Sequence, residues 1–114
     1  MNVERILEGA IETIKQGWTQ SELAENAAGD PVVSLNSSAV QWCIIGALSK
    51  SAGYLIDNAQ EDTPAFQARR ELEISLGGGF LTEWNDACDR SSEDVVSLLK
   101  RTLERIRNES EGRT

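Results

Sequence analysis

The sequence predicts a mainly α-helical single domain, a compact four-helix bundle with one irregular or short β-hairpin segment after its first helix. Three observations carry this expectation. Apolar residues recur at three- and four-residue spacing in several separate stretches. Capping residues or terminators stand at the ends of those stretches. The period is lost over residues 18–36, where Gly29-Asp30-Pro31 gives a strong turn signal.

The first helix is expected over residues 3–16. Val3, Ile6, Leu7, Ala10, Ile11 and Ile14 form one apolar stripe. Lys15 stands in the last turn, where a cation complements the helix dipole, and Gly17 supplies a terminator. The outer face carries Glu4, Glu8 and Glu12 in an i,i+4 row, which reads either as a solvated face or as an acidic recognition surface. In the irregular stretch, Val32-Val33 has the character of a short extended segment.

A second helix is expected over residues 38–52, capped by Asn36 or Ser37 and ended by Gly53. Val40, Cys43, Ile44 and Ala47 define one face, while Trp42 and Ile45 project from the other. A helix apolar on nearly all sides belongs in the centre of its domain. Gly46 in its interior permits close approach of a neighbouring backbone. The third helix follows Thr63-Pro64, an N-cap with proline at the first helical position, and runs to Leu76 before Gly77-Gly78-Gly79. Those glycines follow a helix instead of a strand, so they read as a helix terminus and not as a phosphate-cradling loop.

A short turn of helix is expected near residues 80–84. The last helix opens at Ser91, with Asp94 completing a partial capping box, and its stripe is Val95, Leu98, Leu99, Thr102, Leu103 and Ile106. Residues 1–108 thus form one helical domain, and residues 109–114 a disordered tail.

Composition narrows the chemistry. The 114 residues are 39% hydrophobic and 26% charged, enough for a core without metal or disulfide staples. There is no histidine, which removes Cys–His and Ser–His dyads, the HExxH motif and imidazole metal ligation. The two cysteines, Cys43 and Cys88, form no CxxC pair and read as reduced thiols. No apolar run approaches the ~20 residues of a membrane span, and no secretory leader is visible, so the expected location is cytoplasmic. No cofactor, metal site or catalytic residue is expected. An EF-hand reading of Asp86, Asp89, Glu93 and Asp94 fails on ligand order and on the missing central glycine.

The best polar candidates for binding are Asn85 and Asp86 beside Trp84, with Trp18 and Trp42 as further large side chains. Each has a structural alternative: tryptophans pack cores, and Asn and Asp cap helices and close turns. The segments Gly17-Trp18-Thr19, Trp42-Cys43-x-x-Gly46-Ala47-Leu48 and Trp84-Asn85-Asp86 form a distinctive set. The set resembles an uncharacterised family of small proteins found in bacteria and their phages, and the resemblance runs over residues 3–106. It implies relatedness and a phage or prophage context without implying an activity.

The formal charge of −8 disfavours direct nucleic-acid binding, which rests on neutralising phosphates. It suits a protein partner with a basic surface. The function expected is therefore a non-catalytic acidic interaction module, in a phage context an inhibitor of a host factor by protein binding or nucleic-acid mimicry. The alternative is a small-molecule or nucleotide-binding domain, or an enzyme built on one, with its pocket near Trp84, Asn85 and Asp86. A third possibility is a helical oligomerisation element using Val96 and Leu103. Oligomeric state is left open.

Overall fold

A computed structural model describes residues 2–56 and 62–111. In chain order the elements are α1 (Val3–Gln16), β1 (Ala24–Asn26), β2 (Ala39–Trp42), α2 (Ile44–Ala52), α3 (Pro64–Ser75), α4 (Leu81–Asn85) and α5 (Ser92–Glu111). The protein is mainly helical, as expected. Among the described residues there are five helices, the short α4 included, and a small two-stranded antiparallel sheet.

The first, third and last helices follow their apolar periods. Asn2 caps α1 by accepting from the Arg5 amide, and Ile6, Leu7, Ala10 and Ile14 point into the core. Thr63 caps α3 with proline in its first turn. Ser91 and Asp94 exchange the two bonds of a capping box at the start of α5: the Ser91 amide donates to Asp94 Oδ2 at 3.0 Å, and the Asp94 amide donates to Ser91 Oγ at 3.2 Å. The α5 helix continues to Glu111, and residues 112–114 of the expected tail lie outside the described residues.

The stretch expected to be one helix over residues 38–52 divides in two. Residues Ala39–Trp42 are a strand, and the helix begins at Ile44 with Cys43 as its N-cap. Asn36 caps no helix; it closes a turn, its Oδ1 accepting from the amide and hydroxyl of Ser38 at 2.8 and 2.7 Å. The physical reason is tertiary pairing. The Trp42 amide donates to Gly17 O and its carbonyl accepts from the Thr19 amide, both at 3.1 Å, while β2 pairs on its other edge with β1. Backbone groups spent on two neighbours cannot serve an intrahelical ladder.

The expected reversal at Gly29-Asp30-Pro31 does occur, with Glu25 bridging Pro31. The longer ladder, however, joins β1 to β2, in the register Ala24↔Trp42, Glu25↔Gln41 and Asn26↔Ala39 with an irregularity after Glu25.

Helix α1 packs against α2, α3 and α5. The α2 helix is central, with every residue from Ile44 to Ser49 buried. Ile6, Leu7, Ile44, Leu48, Leu72, Leu98 and Leu99 are all fully buried, each worth about 1.5–3 kcal/mol of transfer free energy. Two glycines are fixed by space. A Cβ on Gly46 would meet the Leu23 carbonyl oxygen at 2.0 Å, and one on Gly17 would meet that of Val40 at 2.2 Å. These contacts let the β1 and β2 backbones close onto the helices. Arg105 fastens α5 to α3 through Glu71 Oε1 at 2.8 Å and the Glu71 carbonyl at 3.0 Å. Among the described residues no helix is long and apolar enough to cross a membrane.

Candidate functional site

The three motif segments converge on Asn85, at the end of α4. The side chain is fully buried and uses its whole hydrogen-bonding capacity. Its Oδ1 accepts from the Trp18 indole Nε1 at 2.9 Å and from the Ile44 amide at 3.0 Å. Its Nδ2 donates to Thr19 O at 3.2 Å and to Asp86 Oδ1 at 3.0 Å. The bond to Ile44 satisfies one of the orphan amides at the start of α2. A second, on Gly46, donates to Cys43 Sγ at 3.3 Å. Asn85 is thus a cap, but for a helix 41 positions earlier in the chain.

Around this hub the connection after α1 is held on α4. Gln20 Nε2 donates to the carbonyls of Asn85 and Ala87 at 3.0 and 2.8 Å. The Ser21 amide donates to Asp86 Oδ1 at 2.8 Å, and Ser21 accepts the left-handed conformation this demands, at φ 72°. The Thr19 hydroxyl hydrogen-bonds the Glu25 carboxylate. Gln20 and Ser21 belong to the site although the sequence analysis did not select them. Their only signal is adjacency to Gly17-Trp18-Thr19.

The structure brings Trp18, Asn85 and Asp86 into direct contact. Trp42 joins through its backbone pairing with Gly17 and Thr19, but its own indole points elsewhere, donating to Ser34 O at 3.0 Å. Trp84 is half-buried and is covered by Arg90, whose guanidinium lies 4.1 Å from the ring centroid while its Nε donates to Trp84 O at 2.9 Å. Glu4, Glu8 and Glu12 lie elsewhere, along the seam of α1 with α5. Arg107 reaches Glu8 at 3.0 Å and Glu4 at 3.8 Å, and Lys15 stands 3.9 Å from Glu12. That row is largely met by cations of the same chain.

A small cleft of ≈ 190 Å³ opens beside the hub, lined by Ser21, Leu23, Cys43, Thr82 and Asp86 among others. Burial pushes the Cys43 thiol above its ordinary value, with the charge of Asp86 acting in the same direction and the Gly46 amide opposing. A thiol so placed is a poor nucleophile at neutral pH. The volume lies below the roughly 300–1,000 Å³ of ordinary ligand pockets. Among the described residues no three His, Cys, Asp or Glu side chains are placed to hold a metal ion.

The outer surface of the same corner is different. Glu22, Glu83, Asp86 and Asp89 are all exposed, and none has an ion-pair partner among the described residues. The Ser21–Asp86 and Gln20–Ala87 hydrogen bonds hold the loop after α1, which carries Glu22, against the end of α4 and the turn that follows it.

Fold and site together define a small helical domain stitched by a buried polar joint, with exposed carboxylates outside that joint that have no ion-pair partner among the described residues. The chain belongs to a family of unknown function, DUF6197, whose model matches residues 1–105 and so spans all three motif segments. No curated protein and no solved structure matches it.

Proposed function

We propose that the protein is a non-catalytic acidic interaction module that binds a basic surface of another protein through the corner formed by α4 and the loop after α1. The observation that carries this reading is the set of exposed carboxylates without an ion-pair partner among the described residues, Glu22 on the loop after α1, Glu83 on α4, and Asp86 and Asp89 just after it, in segments joined by the Ser21–Asp86 and Gln20–Ala87 hydrogen bonds. Desolvated, oppositely charged contacts at such a corner give specificity and fast association. In a phage setting the same carboxylates would occupy a host enzyme's phosphate-binding surface and exclude nucleic acid.

The test is capture from host lysate on immobilised wild-type protein and on a Glu22→Lys/Glu83→Lys/Asp89→Lys variant, with identification of what is retained. Asp86 is spared because it holds Ser21. A stoichiometric partner released by salt and lost by the variant supports the proposal. Equal retention by both proteins, or no retained partner, sinks it.

The cleft beside Cys43 favours a second reading, a ligand of a few heavy atoms bound between Thr82 and Asp86. A nucleotide exceeds that volume. A thermal-shift series with small amines and other small cations addresses this reading, since Asp86 is the acceptor it would use. No stabilisation that depends on Asp86 means no ligand of this kind.

A further inference from the structure

We propose that the cleft beside the Asn85 joint takes up a lysine side chain of the partner protein; this rests on the interaction reading above and gives it an anchor. The loop after α1 supplies Ser21, Glu22 and Leu23 to the cleft, and Cys43, Thr82 and Asp86 line it with them. Its volume of ≈ 190 Å³ is the room of about six waters at about 30 Å³ each. That is too small for a nucleotide and close to the four methylenes and ammonium of one lysine. Leu23 is 47% exposed, an apolar wall open to solvent and not part of the core. Lysine stems cover such surface while the charged head stays among polar groups.

Charge names the occupant. Glu22 and Asp86 are the charged side chains that line the cleft, and no lysine or arginine among the described residues does. Neither carboxylate has an ion-pair partner among the described residues. Asp86 Oδ1 accepts from the Ser21 amide and from Asn85 Nδ2, so the carboxylate is held in place with Oδ2 left for a ligand. The Glu22 carboxylate and the Thr82 hydroxyl add acceptors, matching an ammonium that has three donors and no acceptor. An anion is opposed by the sign of both charges, and the Ile44 and Gly46 amides at the start of α2 are already engaged by Asn85 Oδ1 and Cys43 Sγ. A small free amine would meet Asp86 but leave Leu23 uncovered, and arginine brings a bulkier planar fork. Glu83 and Asp89 stand outside the cleft, where they attract a basic surface without lining the space the side chain fills.

The experiment titrates isotopically labelled full-length protein with a synthetic peptide of about ten residues in which lysine alternates with glycine. Binding is followed by amide chemical shifts and by nuclear Overhauser contacts between the lysine methylenes and the Leu23 methyls. Controls are the same peptide with arginine for lysine, and the proteins Leu23→Ser, Asp86→Asn and Glu83→Lys/Asp89→Lys. All the replaced side chains are exposed, and Asp86→Asn keeps an oxygen for the Ser21 amide. The expected result is contact between methylenes and methyls, with about a tenfold loss of affinity for Asp86→Asn and smaller losses for Leu23→Ser and the arginine peptide. Wild-type affinity in both Leu23→Ser and Asp86→Asn overturns the inference; if Glu83→Lys/Asp89→Lys alone weakens binding, the acidic corner keeps its role and only the cleft loses one. Equal affinity for the arginine peptide, no contact with Leu23, or no binding overturns it too, while capture from lysate judges the corner separately.

Discussion

The Trp18 indole donates to Asn85 Oδ1 across 67 positions of sequence, at 2.9 Å, and the same oxygen accepts the Ile44 amide. One amide side chain therefore serves the first residues after α1, the start of α2 and the end of α4 together.

Replacing Asn85 should expose that dependence. Asn85→Ala removes the partner of the buried Ile44 amide and of the part-buried Trp18 indole and Thr19 carbonyl, at a cost of about 3 kcal/mol. Asp86→Ala, at an exposed position, should cost about 1 kcal/mol. Urea unfolding followed by tryptophan fluorescence measures both. Equal costs would mean that Asn85 is not the joint described.

Gly46→Ala gives a signed test of packing against propensity. Alanine gains about 1 kcal/mol of helix propensity over glycine in an exposed helix. Here its methyl would meet the Leu23 carbonyl oxygen at 2.0 Å, so the backbone just before β1 must retreat. A net loss of about 2 kcal/mol is expected from the overpacking, read as a lower melting temperature. A rise would refute the close approach.

The two thiols should separate cleanly in a native alkylation assay. Cys88 is exposed and should react at once, while buried Cys43 should wait for unfolding. Burial raises the Cys43 pKa, so the folded chain keeps that proton at pH values where the unfolded chain has lost it. The resulting stabilisation is whole below the ordinary thiol value of 9.0 and is lost as pH rises through the raised folded value. Cys43→Ala should flatten this alkaline limb in a stability–pH profile.

The capping box on α5 is a modest contributor. Ser91→Ala removes the acceptor for the Asp94 amide and should cost about 1 kcal/mol, with Asp94→Ala similar and the pair less than additive. Additive losses in denaturant unfolding would show that the two bonds are independent.

How far the sequence could be read follows from where each structural cause lies. The α1, α3 and α5 helices carry their caps and apolar stripes within their own residues, so they were legible. Residues 39–42 were not. Val40, Cys43, Ile44 and Ala47 satisfy a helical spacing, and nothing local says that Gly17, Thr19 and β1 will claim the backbone of Trp42 first. The true start of α2 was hidden for a related reason. Its N-cap is Cys43, outside the residues usually favoured there, and part of the capping is done by Asn85 from a distant helix. Asn85 itself was legible as a capping residue, but not which helix it would cap. The pairing of Glu4 and Glu8 with Arg107 depends on α5 lying antiparallel to α1, a relationship no local pattern encodes.

The Asn85 joint also bears on the order in which the chain can take shape during synthesis. The Trp18 indole and the Ile44 amide emerge from the ribosome well before their shared acceptor does. Until α4 is made, the start of α2 and the loop after α1 must stay wet, because closing them earlier would strand those donors. The first half of the protein can therefore complete these contacts only once α4 has been made. Consolidation should come as one late event, visible as the moment when Trp18 leaves water.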